Sequence, residues 1–238
     1  MQPQPLYFES AHDSQAILCH SYKGFDNQPT TRNVAWVRER QEIRHLGSCL
    51  IKWYVANARD LPWRRTRDPY AIWISEIMLQ QTQVATVIPY WYRWLRALPD
   101  MRTLAKAQPS RVLKLWAGLG YYSRARNLQK AARVILKDHN GQLPRDTRDL
   151  QALPGIGRYT AGAICSIAFN QPEPILDGNA TRVLTRLFAI GENPRSTDTA
   201  RRLWTLAEEF VATTTEHGAL TQALMELGAT RCLPRNPL

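Results

Sequence analysis

From about Gln41 to Leu238, apolar residues recur at helical spacing, and no segment of useful length alternates apolar with polar residues. That period decides the fold class. Side chains on a strand repeat every two residues and those on a helix every 3.6, so an all-α fold is predicted. The clearest stretch is YSRARNLQKAARVILKDH, where Ala125, Leu128, Ala131, Ala132 and Ile135 share one helical face before Asn140-Gly141 ends the segment. Ahead of it, SRVLKLWAGLG reads as a short helix stopped by Gly118 and Gly120. A first helix is predicted from about Gln41 to Ala56, followed by the turn-like RDLPWRRTRDPY, whose two prolines break helices. The run AIWISEIMLQQTQVATVIPYWYRWLRAL reads as two helices broken between about Gln81 and Pro89. Further helices fit TRDLQAL, RYTAGAICSIAF, NATRVLTRLFAI, TARRLWTLAEEFVATT and GALTQALMELGAT. Residues 1–40 mix polar residues and proline without sustained period and are read as a loose extension.

The chain is long enough for one large domain or two small ones sharing an interface. No stretch approaches the roughly 18 uninterrupted apolar residues of a membrane span. His12, Asp13 and Gln15 interrupt any apolar core of an export signal. The expected location is the cytoplasm, beside the nucleoid in a bacterium, or the nucleus or mitochondrion in a eukaryote. The formal net charge is +11, which suits a polyanionic partner because neutralised phosphates release counterions; a merely basic protein fits equally well. Arg64, Arg65, Arg124, Arg126, Arg182, Arg186, Arg201 and Arg202 spread along the chain and read as a distributed basic surface. Cys19, Cys49, Cys165 and Cys232 lie far apart with no C-x-x-C pair, so neither a disulfide framework nor a zinc site is indicated.

The most informative short motif is Leu153-Pro154-Gly155-Ile156-Gly157-Arg158-Tyr159-Thr160-Ala161-Gly162. Pro154 stops one helix, the two glycines permit backbone closed to other residues, and a new helix starts near Arg158. Its free N–H groups and positive dipole end make an anion site. An ordinary helix–helix turn with capping glycines is the plainer reading. The spacing between two amphipathic helices on a basic chain favours a DNA phosphate clamp at Gly155 and Gly157, in a hairpin spanning about 147–168.

LPGIGRYTAGAI resembles the helix-hairpin-helix of DNA glycosylases, and ILDGNATRVLTR resembles the glycine, proline and aspartate loop that follows it. DLPWR at 60–64, WISEIMLQQTQVATVIPY at 73–90, LWAGLGYYSRARNL at 115–128 and QALMELGATRC at 222–232 resemble the adenine (MutY-type) branch of that family. The resemblance runs from about residue 49 to the last residue. It implies a helix-hairpin-helix glycosylase fold, with two helical subdomains and an active site in the cleft between them. Residues 41–238 would form the catalytic region.

Breaking a purine–deoxyribose bond builds positive charge on the sugar and negative charge on the leaving base. The chemistry therefore wants an acid for the base and a carboxylate by the sugar. Glu76 sits among Trp73, Ile74, Ile77, Met78 and Leu79, a setting that raises a carboxyl pKa. From the helix pattern alone it faces solvent or pairs with an arginine, and Asp177 in LDGN caps a helix. The resemblance instead implies that Glu76 protonates the adenine ring and that Asp177 stabilises the sugar cation, oriented by Asn179. Glycosylases that also cut the strand carry a lysine just after the hairpin for a Schiff base. Here that position is Tyr159, which implies a monofunctional enzyme that leaves an abasic site.

By the same resemblance Arg59, Trp63 and Gln222 belong to the pocket for the flipped adenine, and Gln81 and Tyr121 wedge into the duplex. The implied partner is double-stranded DNA carrying adenine opposite 8-oxoguanine or guanine, bound by a monomer. Family members hold a [4Fe–4S] cluster on four cysteines. Cys232 fits the first ligand and the other three do not follow, so no cluster is expected to assemble. The chain is accordingly expected to be cut short before the cluster loop and before the C-terminal domain that recognises 8-oxoguanine. A truncated fragment that only binds DNA is the competing expectation, which the two carboxylates alone do not settle.

Overall fold

The computed structural model describes residues 32–237, the backbone alone over Arg32–Arg40. Eleven α-helices make up the described part: α1 (Arg32–Asn57), α2 (Pro69–Leu79), α3 (Val84–Ala97), α4 (Met101–Lys106), α5 (Pro109–Trp116), α6 (Ser123–Asp138), α7 (Thr147–Gln151), α8 (Arg158–Phe169), α9 (Gly178–Leu187), α10 (Thr197–Val211) and α11 (His217–Thr230). No strand occurs among the described residues, as the helical period requires. Helix α1 starts at Arg32, inside the span read as a loose extension. The rest of that extension lies outside the described residues. Helix α4 is absent from the sequence reading. Six residues are too few to show a period, although Asp100 caps them by accepting from the Thr103 N–H at 2.7 Å. The break after α2 falls at residues 80–83, and Pro89 lies inside α3.

Apolar side chains gather in two main cores. Helices α2 to α8 enclose the first, where Trp73, Trp94, Trp116, Leu104, Leu128 and Ile135 are fully buried. Trp94 meets Trp116 edge to face at 5.5 Å, and its indole N–H donates to the Tyr70 hydroxyl at 3.2 Å. The second core joins α1 to α9, α10 and α11 through Leu50, Leu184, Leu203, Phe210 and Leu220. The N-terminal helix thus folds back onto the C-terminal ones, so one subdomain is continuous in sequence and the other is not. A small third cluster of Ile72, Ala163, Ile167, Ile175 and Ala180 spans the seam between them.

Helix α2 is apolar almost all round, and every residue from Tyr70 to Met78 is buried, which is the expected fate of a helix without a polar face. It packs against α3 and α8, while α11 packs against α1, α8 and α9. Gly228 permits the last of these contacts, since a Cβ there would fall 2.7 Å from the Cβ of Asn179.

Candidate active site

A cleft of about 840 Å³ opens between the two subdomains. Arg59, Trp63, Glu76, Gln81, Tyr121, Tyr159, Asp177, Asn179 and Gln222 all line it, although they come from six separate stretches of chain. Gly155, Gly157 and Cys232 lie outside it.

Glu76, on the buried helix α2, is 6% exposed. Its Oε2 accepts from the Tyr159 hydroxyl at 3.1 Å, and among the described residues it forms no ion pair with arginine, so it neither faces solvent nor is ion-paired there. Burial pushes its carboxyl up to about 7, and repulsion from Asp177 adds to the shift. The Tyr159 hydrogen bond and the charge of Arg64 oppose it. Burial likewise raises the Tyr159 phenol well above its ordinary value, so the hydroxyl remains a donor.

Asp177 is indeed a helix cap: its Oδ1 accepts from the Ala180 N–H at 2.7 Å at the start of α9. The cap also places its carboxylate in the cleft. Asn179 is held through its Oδ1, which accepts from Arg182 Nη2 at 2.8 Å. Gln222 accepts from the Tyr54 hydroxyl at 3.2 Å, and buried Trp63 stands edge-on to Trp91.

Gln81 and Tyr121 sit at the cleft on two short connections, after α2 and before α6. Both have left-handed backbone, with φ of 58° and 46°. For residues with a Cβ that conformation costs about 1–3 kcal/mol each and persists only where the surroundings impose it. Tyr121 is 62% exposed.

The hairpin stands apart, between α7 and α8. Gly155 has φ of +81° and presses on Asn127, where a Cβ would fall 2.7 Å from that residue's Cβ. Gly157 precedes α8, whose N-terminus no side chain caps. The first N–H groups of this 12-residue helix therefore remain available to an anion. Arg158 anchors the hairpin to α10, donating to Glu208 at 2.7 Å with its guanidinium over the Trp204 ring.

Two residues of this region escaped the sequence reading. Glu226, on α11, has a fully buried side chain. Arg59 reaches it with its backbone N–H at 3.0 Å and its Nε and Nη2, each at 2.8 Å, and Arg64 Nη2 adds a fourth bond at 2.8 Å. Burial pushes the Glu226 carboxyl up, but the hydrogen bonds from Arg59 and Arg64 outweigh it and bring it to about 2. Arg124, read as part of the basic surface, is instead buried. Half-buried Arg64 and Arg182 also bond carboxylate or carbonyl groups, while exposed Arg186 bonds the Leu233 carbonyl from the surface. No local spacing signals these roles, because each side chain has at least one partner on a distant element.

Cys232 is half-buried, its sulfur accepting from Arg186 Nη1 at 3.2 Å. Cys49 and Cys165 are free, the latter buried in the first core. Among the described residues no group of three or more His, Cys, Asp or Glu is placed to hold a metal. A cluster held by four thiolates does not fit the single cysteine described at this place.

The sequence from residue 74 to 209 matches the HhH-GPD superfamily of base excision DNA repair proteins. The chain belongs to that superfamily. Adenine DNA glycosylase of Homo sapiens is 49% identical over 210 residues, which are 84% of this chain and 38% of that protein. The adenine DNA glycosylase of Buchnera aphidicola subsp. Baizongia pistaciae is 44% identical over 79% of this chain and 53% of its own length. This HhH-GPD chain thus spans about two fifths to half of these curated relatives. A solved thermostable thymine-DNA glycosylase superposes with a TM-score of 0.75 at 31% identity, covering 83% of this chain and 91% of that one. A trapped endonuclease III–DNA covalent intermediate superposes with a TM-score of 0.66 at 23% identity and shares the fold. Within the described residues no helix of this superfamily member is long and apolar enough to cross a membrane.

Proposed function

We propose that this chain is the catalytic region of a monofunctional adenine DNA glycosylase, which hydrolyses the N-glycosidic bond of adenine opposite 8-oxoguanine or guanine in double-stranded DNA. The observation that carries the reading is Glu76. It is a buried carboxyl held near neutral pKa, bonded to Tyr159 and lining the same cleft as Asp177. A carboxyl tuned in this way is a general acid at physiological pH.

The hairpin N–H groups hold a backbone phosphate while Gln81 and Tyr121 fill the gap left by the flipped base. Arg59, Trp63 and Gln222 line the pocket that receives it. Glu76 gives its proton to the adenine ring, and the electrons of the bond between C1′ and the base pass into the leaving adenine. The Asp177 carboxylate faces the positive charge that develops on the sugar. A water adds to C1′ and loses a proton, leaving free adenine and an abasic site. Tyr159 offers no amine to the sugar, so no Schiff base forms and the strand is not cut.

The test is a single-turnover assay on a duplex with adenine opposite 8-oxoguanine, with and without alkali, beside Glu76→Gln and Asp177→Asn. Strand breakage that needs alkali, and that both substitutions suppress by orders of magnitude while DNA binding survives, is the expected result. Borohydride is expected to trap no substantial covalent adduct, and a strong adduct contradicts the monofunctional assignment. A folded wild-type chain that binds the duplex without releasing adenine overturns the enzymatic reading in favour of a DNA-binding module.

A further inference from the structure

We propose that Arg124 is the positioning residue that sets both wedge-bearing connections at once, holding Gln81 and Tyr121 in their strained backbone so that they act together on the duplex. The proposal rests on the reading of Gln81 and Tyr121 as wedges. Arg124 lies in the first turn of α6 and is 9% exposed. Its Nη1 donates to the carbonyls of Ile77 at 2.9 Å, Met78 at 3.0 Å and Gln80 at 2.5 Å. The first two lie in the last turn of α2, where carbonyls have no partner within the helix, and the third immediately precedes Gln81. Its Nη2 donates to the Thr82 hydroxyl at 3.2 Å and to the carbonyls of Leu119 at 2.9 Å and Gly120 at 3.3 Å, directly before Tyr121. The guanidinium also lies 5.7 Å from the centroid of the Tyr121 ring.

One planar fork therefore grips the residues on both sides of Gln81 and those leading into Tyr121. A strained conformation needs neighbours that leave it no alternative, and here a single side chain supplies them for two loops far apart in sequence. Lysine keeps the charge but has no fork with which to reach both sets of carbonyls. Arg124→Lys is thus expected to loosen both loops together while leaving Glu76, Tyr159 and Asp177 in place.

The experiment compares wild type with Arg124→Lys in the whole chain by two readouts. Amide hydrogen exchange is expected to show segments 79–83 and 118–122 losing protection together, by roughly tenfold or more for a released local unit, while α8 stays protected. Single-turnover excision of adenine from a fully paired 8-oxoguanine duplex is expected to fall about 100-fold, the scale of a misplaced reactive geometry. With the same adenine in an unpaired bubble, where no wedge is needed, excision is expected to return to within about threefold of wild type. Equal losses on both substrates, no loss on either, or loosening of only one loop overturns the proposal. If wild type excises adenine from neither substrate, the glycosylase reading has failed. The exchange experiment then decides on its own whether Arg124 holds the two loops as a unit.

Discussion

The two walls of the cleft each bury a glutamate, and the two glutamates have opposite fates. On α2, Glu76 lies among apolar side chains with one hydroxyl as partner, and its carboxyl is pushed up to about 7. On α11, Glu226 is buried even more completely, yet two arginines bring it down to about 2. Burial is common to both, so burial does not decide the charge. The difference lies in how many charged donors surround the carboxylate. Glu76 has one neutral hydroxyl as its partner, whereas Glu226 is bonded by two guanidinium groups.

Four experiments press on this contrast, in order of expected effect. Glu76→Gln removes the proton without changing the shape, and adenine release in single turnover should fall by roughly 10²–10⁴-fold, the usual contribution of a general acid. A variant within a few-fold of wild type places the acid elsewhere. Glu226→Ala should not resemble it. Stripping the partner from Arg59 and Arg64 should cost about 3–5 kcal/mol of unfolding free energy in urea, as for other broken buried pairs. A loss below about 1 kcal/mol, the scale of an exposed pair, removes Glu226 from the framework.

The pH dependence of stability should run in opposite directions for the two residues. With its pKa raised from 4.5 to about 7, Glu76 is protonated in the folded chain over a range where the unfolded chain has released that proton. Its contribution is fully present below pH 4.5, declines as pH rises to about 7, and amounts to about 3 kcal/mol. Glu76→Gln should therefore match wild type near pH 4.5 and exceed it near pH 8; equal unfolding curves at pH 8 contradict the raised pKa. With its pKa lowered from 4.5 to about 2, Glu226 contributes above pH 4.5 and loses that contribution as pH falls toward 2. In the activity profile, adenine release should decline as pH rises through about 7.

The smallest effect belongs to Tyr159→Phe. Its hydroxyl bond favours the charged form of Glu76, so losing it should move the alkaline decline in activity to higher pH, with about 1 kcal/mol lost from stability. A shift to lower pH reverses the role assigned to that bond.

Much of the fold is legible because its punctuation is local. Helix α8 matches the sequence reading from Arg158 to Phe169, since Pro154, Gly155 and Gly157 mark its start, and α6 ends at Asp138, just before the expected Asn140-Gly141. Helix α4 is too short to show a period. The burial of Glu76 was hidden for a different reason. A helix buried all round has no polar face against which one glutamate stands out, so its pattern says nothing about where that glutamate points.

The sequence by itself determined the all-α class and the hairpin, because each is written in spacing along a few consecutive residues, whereas Glu76, Asp177 and Tyr159 stood out by resemblance and not by spacing. Only the tertiary structure decided that Glu76 avoids arginine, that Glu226 commands Arg59 and Arg64, and that Arg124 bridges two loops. Charges and hydrogen bonds act over a few ångströms of space, and in this chain the partners are 44 to 47 residues apart for Arg124 and the carbonyls of Ile77, Met78 and Gln80, and 162 to 167 for Glu226 and its arginines.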